Sequence, residues 1–135
     1  FSVHVENCNI TFIEHVRTVC KMCIAVSDVL KEAYGERTRI DYDTLIAGAL
    51  LADVGKLIEY EEKDGQITKA GRGQHLRHPF TGVAMSHARG VKPEVQHVIA
   101  THSKEGEMMT RSNESVIFHH ADFIDFDLVS KKRPF

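Results

Sequence analysis

The chain has 135 residues, the length of one domain, and is 42% hydrophobic and 27% charged, an ordinary globular balance. A formal net charge of −2 supplies no global attraction to nucleic acid or to a membrane surface, although Lys131, Lys132 and Arg133 form a local basic cluster. No apolar run reaches the ~18 residues of a membrane span, there is no signal-peptide pattern, and an odd number of cysteines makes no disulfide framework. One cytoplasmic domain over residues 1–135 is therefore expected, without membrane contact; the start at Phe1 rather than Met fits a trimmed or processed chain. The unusual count is histidine, at nine.

Residues 10–33, "ITFIEHVRTVCKMCIAVSDVLKEA", carry a wide apolar stripe at helical spacing. Asp43 and Thr44 can cap a second helix running to about Tyr60. The stretch 57–70 alternates around Asp64-Gly65 and predicts a small β-hairpin, with a loop over 71–77. A third helix fits 79–89 with Pro79 in its first turn, and ends at Gly90. Pro93 opens a fourth, "PEVQHVIATHSKE". After a polar loop at 105–113, a last helix covers about 114–129. The expected fold is a compact all-α bundle of five or more helices with one hairpin.

Within this pattern "LIAGALLADVGKL" places Asp53 after an apolar helix, where burial is costly unless the carboxylate is paired or binds a metal. His15, Asp53, His78, His102 and Asp122 fall on five successive helices. Imidazole and carboxylate suit Zn, Fe, Mn and similar divalent ions, and ligands so distributed converge only in a bundle core. Each residue has a plainer reading: a satisfied core histidine for His15, backbone capping for Asp53, Lys56, His78 or His102, and Asp125 as a rival to Asp122. Cys20 and Cys23 imitate half a zinc site without a second pair, which favours core packing.

The residues that tip the balance are "EHVRTV" with His15, "LLADVGK" with Asp53 and Lys56, "RHPFTG" with His78, "VIATHS" with His102 and "HHADFIDF" with Asp122. In this order, from about His15 to Asp127, the chain resembles the HD-domain superfamily of metal-dependent phosphohydrolases. "AGRGQHLRHPFTG" and the hairpin look most like members acting on phosphodiesters and RNA ends. One departure stands out, because the family's His before the Asp is Ala52 here. An engineered removal and a natural divergence both account for it, and the intact remaining set favours the first.

The resemblance implies two ions, one held by His15, residue 52, Asp53 and Asp122, the other by Asp53, His78 and His102. Their identity among Mn, Fe, Ni, Zn and Mg stays open. Asp53 and Lys56 would be catalytic, and His75, Arg77, His119 and Lys104 are the candidates to touch a nucleotide-like or RNA-end phosphoester. Ala52 would leave the first ion with three protein ligands and impair hydrolysis. Two other readings remain: a di-iron oxygenase of the same ligand pattern, and a degenerate domain that binds a nucleotide or partner without catalysis. Oligomeric state is left open.

Overall fold

The computed structural model describes residues 9–130, so the basic cluster Lys131, Lys132 and Arg133 lies outside the described residues. Helix α1 spans Phe12–Tyr34 and opens with a reciprocal cap. Thr11 Oγ1 accepts from the Glu14 amide, and the Glu14 carboxylate accepts from the Thr11 amide. Its inner face is the row His15, Val19, Cys23 and Ser27, four residues apart and all buried. Cys20 and Cys23 are free thiols packed in the core.

Helix α2 covers Tyr42–Leu51 and differs from expectation at both ends. Asp41, not Asp43 or Thr44, caps it, accepting from the amides of both. The helix does not reach Tyr60. It turns at residues 52–55 and restarts as one short turn, α3, at Lys56–Glu59. Gly55 shows why the break is needed: a Cβ there would stand 2.1 Å from the carbonyl oxygen of His78. Close approach of this turn to the start of α4 requires the glycine, and the interruption lets Asp53 face the interior.

Strands β1 (Tyr60–Lys63) and β2 (Gln66–Lys69) form the antiparallel hairpin, with Tyr60 opposite Lys69. Asp64 and Gly65 both have positive φ, 55° and 76°, the conformation a two-residue hairpin turn demands. Residues Arg72–Gln74 form a 3-10 turn within the expected loop. Helix α4 is His78–His87, with Pro79 in its first turn. Helix α5 is Pro93–Thr101, shorter than expected, because the chain leaves it at His102 and makes a 3-10 turn at Lys104–Gly106. Helix α6 is Asn113–Val129, capped by the Ser112 hydroxyl accepting from the Ser115 amide.

Helix α2 lies at the centre and packs against α1, α5 and α6; α1 pairs with α6, and α4 with α5. The core joins Val19 and Cys23 of α1, Leu45 and Ala49 of α2, Ala52, Val98 of α5, and Phe118 and Ala121 of α6. Each large aliphatic buried there contributes on the order of 1.5–3 kcal/mol. Among the described residues no helix is long and apolar enough to cross a membrane.

Candidate metal centre

The two helix pairs bring their polar groups to opposite sides of Asp53, which sits in the turn between α2 and α3 and is 5% exposed. From the α1–α6 side, His15 Nε2 lies 3.5 Å from Asp53 Oδ2 and 3.2 Å from Asp122 Oδ1. From the α4–α5 side, His78 Nε2 and His102 Nε2 lie 3.3 and 3.5 Å from Asp53 Oδ1, and 3.2 Å from each other. Lys56, one turn after Asp53, places Nζ 2.7 Å from Oδ2. All five ligand candidates thus meet, as two sets that share Asp53: Asp53, His78 and His102, and His15, Asp53 and Asp122.

The far nitrogens of the three rings are each engaged. His15 Nδ1 is 2.7 Å from Asp125 Oδ2, His78 Nδ1 is 2.9 Å from Glu59 Oε2, and His102 Nδ1 is 2.8 Å from the Ile99 carbonyl. A carbonyl oxygen only accepts, so His102 carries a proton on Nδ1 and turns its Nε2 inward. A carboxylate at His78 Nδ1 favours the same tautomer there. Asp53 Oδ1, facing both inward nitrogens, is buried and has no hydrogen-bond partner. Two imidazole nitrogens and an orphaned carboxylate oxygen around one point form a donor set that fits a divalent cation. The acid expected to rival Asp122 therefore supports the opposite edge of His15 instead.

The charges follow from these contacts. Burial opposes ionisation of His15, but its contacts with Asp122, Asp53 and Asp125 outweigh it and lift the ring to about 9. Burial, reinforced by His102 and Lys56, outweighs the charge of Asp53 and brings His78 down to about 4. Asp53 itself, although buried, is held well below the usual carboxylate range by the facing nitrogens of His102 and His15 and by Lys56. His78 is thus a neutral ring with a lone pair to offer, whereas the His15 side holds a proton among three acids.

The centre opens into a cavity of about 970 Å3. Lys56, Lys69, Arg77 and Lys104 give it a cationic rim, and Phe12, Phe123 and Phe126 an aromatic wall. Arg77 is anchored by Glu105 at 3.1 Å. Of the expected substrate contacts, Arg77 and Lys104 line this cavity; His75 and His119 do not. His75 is exposed beyond the 3-10 turn, and His119 is spent on the protein, its Nδ1 2.6 Å from the carbonyl oxygen of His102. Glu59, Lys69 and the aromatic wall escaped sequence reasoning. Glu59 differs from Glu61 and Glu62 only in closing α3, which periodicity cannot reveal.

A buried carboxylate lies between two histidine-bearing sets, and the HD domain family matches residues 12–127. The chain belongs to it. Over 115 residues, 84% of the chain, it is 36% identical to the dihydroneopterin 2′,3′-cyclic phosphate phosphodiesterase of Methanocaldococcus jannaschii. The match takes up 45% of that relative, so the chain spans less than half its length. No solved structure matches the chain.

Proposed function

We propose that the chain is a metal-dependent phosphodiesterase that hydrolyses a small, nucleotide-like cyclic phosphodiester, with activity limited by Ala52. The observation that carries this is the orphaned Asp53 Oδ1 facing the inward nitrogens of His78 and His102 beside a cation-rimmed cavity. Asp53, His78 and His102 would hold one divalent ion, and His15, Asp53 and Asp122 a second, weaker one. An ion held there would supply Lewis-acid activation of water at neutral pH.

The chain's own groups do the rest. Lys56, anchored on Asp53 Oδ2, offsets charge that builds on the phosphoryl oxygens. Arg77, steadied by Glu105, and Lys104 bind the remaining phosphate oxygens at the rim. Phe12, Phe123 and Phe126 offer stacking surface to a heterocycle attached to the phosphate. A pocket of this size and lining favours a small cyclic phosphate over an RNA end, and the relative's named substrate is of that kind.

The test is to load purified protein separately with Mn, Fe, Ni, Zn and Mg and to assay cyclic and linear phosphoesters. The expected result is metal-dependent opening of a cyclic phosphate, lost in Asp53→Ala and His78→Ala. Oxygen consumption with Fe(II) and no phosphoester turnover would move the assignment to an oxygenase. Metal and nucleotide binding without either reaction would leave a binding module.

A further inference from the structure

Glu59 is 1% exposed, and an unpaired carboxylate that deep is expensive. Its surroundings show where the cost is offset. Oε2 accepts the backbone amide of His78 at 2.7 Å and lies 2.9 Å from His78 Nδ1, while Oε1 is 3.8 Å from Lys69 Nζ. One oxygen therefore grips both the main chain and the ring of a single residue, which fixes where α4 begins and how its first side chain is turned.

The rest of the local fold serves to keep Glu59 in place. It stands at the junction of α3 and β1, where the Ala70 amide donates to its carbonyl at 3.0 Å. The 3-10 turn closes over it through Gly73, where a Cβ would come within 2.1 Å of that same carbonyl oxygen. Lys69, beside it on β2, brings a cation to the carboxylate without displacing either bond to His78. The hairpin and the following turn thus form a clamp that holds one oriented acid behind His78.

We infer that Glu59 is a positioning residue that presents His78 Nε2 to the metal centre. The inference rests on the reading that His78 is a metal ligand. A carboxylate behind a ligating imidazole selects the tautomer and raises the basicity of the inward nitrogen, and losing such a partner typically costs ~10–100-fold in metal affinity. His102 is backed by the Ile99 carbonyl, a neutral acceptor, so of the two rings His78 is the one with a carboxylate behind it.

The experiment compares Glu59→Gln and Glu59→Leu with the unaltered protein, reading Mn(II) affinity by titration and the His78 ring tautomer by long-range nitrogen–proton NMR on metal-free protein. Gln keeps an oxygen for both bonds and removes the charge; Leu keeps the volume and removes the acceptor. Glu59→Gln should stay folded and bind Mn(II) about tenfold more weakly, and Glu59→Leu about a hundredfold more weakly with loss of the Nδ1–H tautomer. If Glu59→Leu fails to fold, the Gln affinity decides alone. Gln binding as tightly as the unaltered protein overturns the proposal while leaving the metal centre intact. Unaltered protein whose Mn(II) affinity is indifferent to His78→Ala overturns both.

Discussion

Replacing Ala52 by His tests the centre at the residue next to Asp53, the ligand candidate common to both sets. Ala52 is 0% exposed and belongs to the core formed with Val19 and Cys23 of α1 and Phe118 and Ala121 of α6. Those helices also carry His15 and Asp122. An imidazole added to a filled site overpacks it at a cost of about 1–3 kcal/mol. For a domain of this size that is a fall of roughly 3–12 °C in Tm. A ligand that binds only the folded state returns about 2.7 kcal/mol at a hundredfold excess over its Kd. Metal-free Ala52→His should therefore melt several degrees below the parent and recover most of the difference in saturating Mn(II), with a larger metal-induced gain than the parent shows. Hydrolysis should rise sharply in the same variant. The assay is thermal denaturation with chelator and with Mn(II), paired with phosphoester turnover. Equal metal-induced gains in the two proteins, with no rise in turnover, would refute the assignment of residue 52 to the first ion.

Four further outcomes follow from the geometry. Asp53→Ala, which strips the ligand common to both sets, should abolish metal binding and activity in either background. Excess Mn or Fe should partly restore the parent and leave that variant inactive, read as turnover against metal concentration. Gly55→Ala should destabilise the fold by roughly 1–3 kcal/mol in urea titration, because its Cβ meets the His78 carbonyl oxygen. It should also weaken metal binding as His78 shifts; unchanged stability would mean the turn can slide. Burial pushes the Cys23 thiol up to about 12 and raises Cys20, so at pH 8 a thiol reagent should modify neither until denaturant is added, as peptide mass mapping would show.

Much of the fold could be read because the signals were local. Apolar spacing located α1, proline marked the starts of α4 and α5, and Asp64-Gly65 marked the hairpin turn. The break in α2 was hidden, since nothing in "LLADVGKL" states that Gly55 must touch His78, a residue in another helix. The five ligand candidates were legible through family order, not spacing. Their supporting groups were not: Asp125 was seen only as a competitor of Asp122, and Glu59 resembled two exposed neighbours. His75 and His119 lie outside the cavity lining for a related reason. A histidine near ligands along the chain can point to solvent, or can be used to hold a backbone carbonyl, and only packing decides which.

The ligands' separation along the chain has a consequence for the order of events in folding. His15 and its partner Asp125 are 110 positions apart, and His78 and His102 are 24 apart. An unfolded chain would have to close several long loops at once to offer an ion this set, each closure losing chain entropy. A metal held by these residues would therefore arrive late, after α1 and α6 have docked on α2 on one side and α5 has carried α4 in on the other. Once bound it would act as a removable cross-link between α1 and α6, slowing unfolding far more than it speeds folding. Chelation should accordingly show first as faster unfolding, before any change in the rate at which the chain finds its fold.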